Sequence, residues 1–317
     1  MGMPILIIDS LNLFVRNYIA NPQMDNNGEL VGGIVGYMKS LAKLVKDLSP
    51  KKVIVVWESG GSPRRLQLFP AYKQRRKPPR PMNRTYGDAI PDNEDNKNYQ
   101  IRALLQLLKY LPVYQLYIEN CEADDVIGYL CKSTYQNEEK IILSTDKDFY
   151  QLVDEKTRIF NPATKVFVNK KDIIEKYNIT PDNFCVAKAF NGDSSDNIPG
   201  VPRVGFKSLS KRFDFINDIT INDIIEESKE HVLNDKKPLV MYENIVQSEE
   251  LVRRNMKIMK LDNALLSFEQ IQEVTRIIND FKPKWSKIKF FKRYLDLEMD
   301  GLDIERLCNC FSYLVYS

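Results

Sequence analysis

The chain has 317 residues, 43% hydrophobic and 28% charged, with a formal net charge of +3, which suits one large soluble domain or two smaller ones. No apolar run approaches the roughly 18 residues of a membrane span, and the opening MGMPILIID lacks the regions of a signal peptide, so the expectation is a cytoplasmic protein. Five cysteines with no C-x-x-C pair point to reduced thiols, and a single histidine, His231, leaves no material for histidine triads or His-rich metal sites.

In chain order, PILIID (4–9) is a strand-length apolar run ending at Asp9, and a helical pattern follows from about Leu30 through Leu48. KKVIVVWE (51–58) is a second strand ending at Glu58. From Ser59 to Gly87 there is neither Asp nor Glu, while Arg64, Arg65, Lys73, Arg75, Arg76, Lys77, Arg80 and Arg84 alternate with Phe69, Tyr72, Tyr86 and several prolines. Such a window reads either as a solvated loop or as a segment that contacts phosphates while bases or sugars stack on its aromatic rings. NYQIRALLQLLKYL (98–111) is an amphipathic helix, and VYQLYI (113–118) a third strand. It leads into ENCEADDVIGYL (119–130), where Glu122, Asp124 and Asp125 crowd the start of a helix, and KIILSTD (140–146) is a fourth strand ending at Asp146, with Asp148 beyond it.

Strands alternating with helices predict an α/β fold with a mainly parallel sheet covered on both faces. In such a sheet the strand carboxyl ends share one edge, and ligands bind in the crevice outside it. Acids in a first helical turn are favoured by the helix dipole, by about 0.3–1 kcal/mol each, which accounts for one crowded helix start but not for acids at every strand end. Asp9, Glu58, Glu122, Asp124, Asp125, Asp146 and Asp148 are therefore expected to meet in one site. Hard oxygen donors without His or Cys suit Mg²⁺ or Mn²⁺. Too many carboxylates for one ion, near a basic loop, suggest two ions about 3.5–4 Å apart around a phosphate, and divalent metal is then the counter-charge that the acidic crowd requires.

NGDSSDNIPGVPRVGFKSLSKRF (191–213) adds Asp193 and Asp196, which a helical turn would put on one face. Gly200 and Gly205 bracket a tight turn before a helix bearing Lys207. Close backbone approach and free amides there suit phosphate, although an Asp-rich turn with glycine caps has the same composition.

Taken together, EADDVIGYL, LSTDKDFYQLV, FNGDSSDNIPGVPRVGFKSLSKRF, IIDSLNLFVR, FPAYKQRRK and LVRRNMKIMKL resemble the 5′-nuclease family, from about residue 4 to 262. That family includes the 5′-nuclease domain of bacterial DNA polymerase I and the stand-alone phage 5′-3′ exonucleases, collectively flap endonucleases. With no polymerase region following, the chain looks like the free-standing form, in the host cytoplasm if it is phage-encoded. The resemblance implies a PIN-like nuclease core over 1–185 with a helical arch at about 70–100, a helix-three-turn-helix duplex-binding region over 186–262, and a C-terminal helical segment, 263–317, that it does not reach. It implies that Asp9, Glu122, Asp124, Asp125 and Asp146 serve a first metal or bridge to a second, which Asp148, Asp193 and Asp196 complete. Glu58 stands where the family pattern has Asp. Tyr72, Lys73 and Arg76 match positions that steer the 5′ strand or the scissile phosphate, with Lys73 and Arg76 taken as catalytic. Gly200, Gly205 and Lys207 fall in the duplex-binding element, where family members hold a K⁺ ion through backbone carbonyls.

The expected activity is two-metal hydrolysis at 5′ flaps and duplex 5′ ends, with two Mg²⁺ ions for which Mn²⁺ can substitute, serving RNA primer removal in replication. The expected partners are branched or nicked duplex DNA with a 5′ single strand, RNA–DNA hybrids, and a single-stranded DNA-binding protein or other replication proteins. The expected state is a monomer away from membranes. A PIN-type ribonuclease would share the acidic pocket without needing GVPRVG, and a catalytically silent structure-specific DNA-binding protein could lose carboxylates that are all present here.

Overall fold

The computed structural model describes residues 2–74, 94–262, 265–282 and 285–315. Its centre is a six-stranded sheet in the order β3-β2-β1-β4-β5-β6. The strands are β1 (Ile5–Asp9), β2 (Lys52–Trp57), β3 (Tyr114–Tyr117), β4 (Lys140–Leu143), β5 (Thr157–Asn161) and β6 (Val166–Val168). All neighbours pair in parallel except β5 and β6, which are antiparallel. The near-continuous apolar runs in β1, β2 and β4 follow from burial on both sheet faces.

Side chains alternate between two cores. Ile5, Ile7, Ile54, Val56 and Ile142 face one, and Leu6, Ile8, Val53, Val55, Ile141 and Leu143 face the other. The second core is closed by α1 (Ser10–Ala20), α2 (Gly32–Leu48) and α4 (Glu94–Leu108), together with α13 (Lys287–Asp296) and α14 (Ile304–Phe311). The first is closed by α5 (Ala123–Tyr129), α6 (Lys170–Tyr177), α7 (Pro181–Asn191), α8 (Phe206–Arg212) and the helices α9 (Ile221–Asn234), α10 (Val240–Gln247), α11 (Glu249–Met259) and α12 (Phe268–Asp280). A short helix, α3 (Pro63–Leu68), follows β2.

The four strands expected from sequence are present. Helix α1 is not visible to an apolar-run reading because Asp9 ends the strand and caps the helix with no intervening loop. The β5–β6 hairpin was likewise unanticipated. The arch expected at about 70–100 lies largely outside the described residues, as do Arg76 and Tyr86. No helix among the described residues is long and apolar enough to cross a membrane.

Candidate active site

The chain order of the strands reverses between β1 and β4, which opens a crevice at their carboxyl ends. Asp9 sits at that point. It accepts the Asn12 backbone N–H at 3.2 Å and the Ser144 hydroxyl at 3.0 Å. The second bond ties the end of β1 to the residue following β4. Asp146 caps the next turn by accepting the Asp148 N–H at 2.9 Å. Glu58, just past β2, accepts the Ala123 N–H at 3.3 Å, so the second strand end is held against the start of α5. Burial pushes the Asp9 carboxyl up to about 7, and the neighbouring charges of Asp146 and Glu58 reinforce it against the lowering effect of Asn12 and Ser144. Asp124 is held well above the usual carboxylate range, first by burial and then by Asp146, Asp9 and Glu122.

The rest of the acidic crowd is answered by side chains. Arg65, only 2% exposed, forks onto Asp125 with Nη1–Oδ2 and Nη2–Oδ1 distances of 2.6 and 2.7 Å. Its Nε donates to the Ile258 carbonyl at 2.9 Å. Glu122 lies 2.8 Å from Lys73 Nζ, accepts the Tyr72 hydroxyl at 3.0 Å, and has Arg65 at 3.4 Å. Burial works against ionisation of Glu122, but Arg65 and Lys73 overcome it and hold its carboxyl below the usual value. Lys73 is fixed at both ends. Its backbone is left-handed, with φ 57°, and its N–H donates to the Asp196 carbonyl at 2.9 Å.

A second acidic group lies across an open cleft of about 440 Å³ lined by Asn12, Asp146, Asp148, Lys188 and Asp193 among others. Lys188 Nζ lies between Asp148 and Asp193, contacting the first closely and standing 2.9 Å from the second. Asp193 also accepts the Ser195 N–H at 2.8 Å. Although burial raises it, Lys188 and Ser195 bring its carboxyl below the usual range. The turn that carries it is built on close backbone approach. Gly192 has φ +74°, and a Cβ on it would lie 2.3 Å from the Gly200 nitrogen. A Cβ on Gly200 would in turn meet the Asn191 carbonyl oxygen at 2.1 Å. Gly205 precedes α8 in extended backbone, and Lys207 is exposed on that helix.

Several expectations are corrected by this geometry. Asp125 is not turned to the crevice, because both its oxygens are occupied by Arg65. Arg65 and Lys73 supply part of the counter-charge, at Asp125 and Glu122, beside the metal expected for the other carboxylates. Tyr72 is 6% exposed and spends its hydroxyl on Glu122 and Asp196, so its ring is not open to a stacking base. Phe69 is covered by Arg254, 4.3 Å from its centroid. Asp193 and Asp196 do not share a helical face. They lie in a turn closed by the Asp193–Ile198 bridge, one directed to Lys188 and the other to Tyr72 and Lys73.

Arg65 and Lys188 were not singled out from sequence. Lys188 had a visible signal, a lone cation within the apolar run FCVAKAF on α7. Arg65 was one cation among many.

The donor set fits divalent metal in its chemistry, since it consists of carboxylate oxygens of which two, the buried Asp9 and the half-buried Asp124, are destabilised as anions. Among the described residues no three Asp, Glu, Cys or His side chains already converge on one ion position. Several oxygens face Lys73, Lys188, Ser144 and Arg65 instead.

Comparison with known proteins gives the family and the fold. Residues 4–178 match the family of the 5′-3′ exonuclease N-terminal resolvase-like domain. The chain is 33% identical over 265 residues to a 5′-3′ exonuclease of Buchnera aphidicola, covering 82% of this chain and 87% of that one. It is 32% identical over 205 residues to the thermostable DNA polymerase I of Thermus filiformis, covering 64% of this chain and 23% of the polymerase. The fold is similar to that of a T5 5′-exonuclease with bound zinc ions, with a TM-score of 0.64 and 24% identity over 93% of this chain and all of the other.

Proposed function

The chain belongs to the 5′-3′ exonuclease family, and we propose on that premise that it is a structure-specific 5′-nuclease. In this reading it hydrolyses phosphodiester bonds at 5′ flaps and duplex 5′ ends, with RNA primers among its substrates. The observation that carries the reading is the grouping of Asp9, buried at the switch point, with Asp124 and Asp146, beside a cleft that Asp146, Asp148, Lys188 and Asp193 line.

Asp9, Asp124, Asp146 and Glu122 would hold one divalent ion, and Asp148, Asp193 and Asp196 a second, with Glu58, whose charge acts on Asp9, contributing directly or through water. Two Mg²⁺ ions so held would supply an activated water and neutralise charge on the attacking and leaving oxygens. The protein's own part is orientation. Ser144 and Asn12 fix Asp9, Arg65 fixes the start of α5 through Asp125, and Glu122 and the Asp196 carbonyl fix Lys73. Lys73 Nζ, held 2.8 Å from Glu122, would be the group to meet a phosphate oxygen. The region 186–262, with α8 and Lys207, is read as the duplex-binding element, and the basic window around Arg76 as the guide for the 5′ strand.

Labelled 5′-flap, nicked, blunt and single-stranded DNA incubated with Mg²⁺ should give products cut near the junction, and none in excess chelator. Uniform cutting of single-stranded RNA with no junction preference would favour the PIN-type ribonuclease. Tight flap binding with no cutting at any Mg²⁺ or Mn²⁺ concentration would make the chain a binding protein.

A further inference from the structure

A buried pair of hydroxyls lies behind the crevice. Ser10 follows Asp9 directly and opens α1, and its Oγ stands 2.6 Å from the Tyr37 hydroxyl on α2, both residues being 0% exposed. A phenylalanine would fill the same space with no polar atom to satisfy, and the net gain from one such hydrogen bond is modest. The pair therefore does more to fix where Ser10 sits than to hold the core together. Burial raises the Tyr37 hydroxyl well above its ordinary range, against the effect of Ser10, and the Asp9 charge adds to the rise, which puts that hydroxyl within the field of the carboxylate.

The same ring touches the second strand end. Tyr37 stacks on Trp57 with ring centroids 6.1 Å apart and planes 16° from parallel. Trp57 is the last residue of β2, 4% exposed, and immediately precedes Glu58. One side chain thus contacts the residues that adjoin Asp9 and Glu58. Its own place is set by close helix packing. Ser10, Phe14 and Asn17 follow one face of α1, and a Cβ on Gly33 of α2 would lie 2.8 Å from a Phe14 ring carbon, while one on Gly36 would lie 2.7 Å from Asn17 Oδ1. Helix α2 is seated directly on that face, which fixes how far the Tyr37 hydroxyl stands from α1.

We propose that Tyr37 is a positioning residue for the metal site, holding Asp9 through Ser10 and Glu58 through Trp57 at the separation a divalent ion requires. The inference rests on the reading of those carboxylates as serving metal, and adds to it a side chain that touches neither ion nor DNA. Asn12 and Ser144 hold the Asp9 carboxylate itself, whereas Tyr37 acts from behind, on the chain that carries it. Its effect falls on ion affinity rather than on the chemical step. Carboxylates already in place cost the ion less to gather, and once the ion is bound its own bonds hold them.

The test is Mg²⁺ binding to the full chain without DNA, followed by calorimetry. Tyr37→Phe keeps the ring and removes the hydroxyl, and should raise the Mg²⁺ Kd about tenfold, the lower end of what residues supporting a metal ligand typically do. The Mg²⁺ concentration for half-maximal flap cutting should rise by the same factor, with kcat at saturating Mg²⁺ and the KM for DNA within about twofold of wild type. Ser10→Ala should match it, and the two changes together should shift the Kd no further than either alone, since both remove one bond. Tyr37→Leu also loses the stack on Trp57 and should raise the Kd beyond Tyr37→Phe. Tyr313→Phe removes a hydroxyl that donates to the Pro50 carbonyl near the other end of β2, and should leave the Mg²⁺ Kd unchanged whatever it does to Tm. A Tyr37→Phe Kd equal to wild type overturns the proposal, as does an equal shift in Tyr313→Phe, which would make the effect a general loosening of the core. Additive shifts in the double variant would rule out the path through Ser10, and equal Kd values for Tyr37→Leu and Tyr37→Phe the path through Trp57. Wild-type protein that binds no Mg²⁺ would sink the metal reading itself and this inference with it. If Tyr37→Phe does not fold, Ser10→Ala, which leaves the Tyr37 ring in place, decides by the same Kd.

Discussion

Asp124 and Asp125 are consecutive, yet they belong to two differently built regions of the molecule. Asp124 faces the crevice with Asp9 and Asp146, where burial and like charge both penalise ionisation. Asp125 lies in the wall behind, where the Arg65 fork occupies both of its oxygens. The same contrast runs through the whole site. Glu122 is buried and Asp193 half-buried, but Lys73 and Lys188 keep them ionised. A raised carboxyl therefore separates Asp9 and Asp124 from Glu122 and Asp193, which a neighbouring lysine holds ionised. Asp125 is satisfied within the chain by Arg65, whereas Asp9 and Asp124 are left with charge that a divalent ion would answer.

The largest effect expected from this contrast is at Asp124. Asp124→Asn should lower flap cutting by at least about a thousandfold, since it removes a ligand from the proposed metal pair. In chelator the same variant should melt higher than the wild type, because a buried like-charge repulsion is gone. A variant that cuts normally, or melts lower in chelator, would move Asp124 out of the crevice group.

Asp125 should behave in the opposite way. Removing one partner of a buried ion pair typically costs about 3–5 kcal/mol. Arg65→Ala should therefore lower stability by that order in denaturant titration, and Asp125→Asn by a smaller part of it. Mg²⁺ affinity measured by calorimetry on the folded Asp125→Asn variant should stay close to wild type. A lost metal isotherm with unchanged stability would return Asp125 to the ligand set.

How far the sequence reveals this division depends on what each residue's role requires. The strands β1 to β4 and their acidic ends are legible because apolar runs and terminal carboxylates are local features, and the sheet topology then forces Asp9, Glu58, Asp124 and Asp146 to one edge. The partner of each acid is not local. Arg65 and Asp125 are 60 residues apart, and Lys188 and Asp148 are 40 apart. Nothing in the spacing of Asp193 and Asp196 says that the turn sends one to Lys188 and the other to Tyr72. Tyr72 looked like a stacking residue because an aromatic beside a lysine suggests nucleic acid, whereas the fold uses its hydroxyl to set Glu122.

A smaller, pH-dependent effect separates the two regions without mutation. The Asp9 carboxyl is raised from 3.8 to about 7 in the folded chain, so the folded state binds that proton more tightly than the unfolded one. The resulting penalty is fully present above about pH 7 and is relieved as pH falls toward 4. The wall acts in reverse, since Glu122 and Asp193 are lowered and their contribution fades only as pH drops below the ordinary carboxylate range. Metal-free protein should thus gain several degrees of Tm between pH 8 and pH 5, and saturating Mg²⁺ should flatten that slope. An identical slope with and without Mg²⁺ would mean that the ions do not bind at Asp9.

Glu58 lies on the border of the two regions and should give the smallest effect. Its carboxylate accepts the Ala123 N–H at the start of α5, as a wall residue would, and its charge raises Asp9, as a crevice residue would. Glutamate also reaches one methylene farther than the aspartate of the family pattern, so from the end of β2 it can touch an ion directly or through a retained water, and Mg²⁺ gives up its waters reluctantly. Outer-sphere carboxylates typically change metal affinity or activity by about 10–100-fold. Glu58→Ala is therefore expected to raise the Mg²⁺ concentration for half-maximal cutting by about tenfold, and Glu58→Asp to remain active with a modest shift. Glu58→Gln separates the two functions, because it keeps an acceptor for Ala123 and loses the charge. If its Mg²⁺ titration follows Glu58→Ala, the charge matters and Glu58 belongs to the crevice. If it overlays the wild type while Glu58→Ala does not, the residue serves only to hold the start of α5, and the crevice ends at Asp9, Asp124 and Asp146.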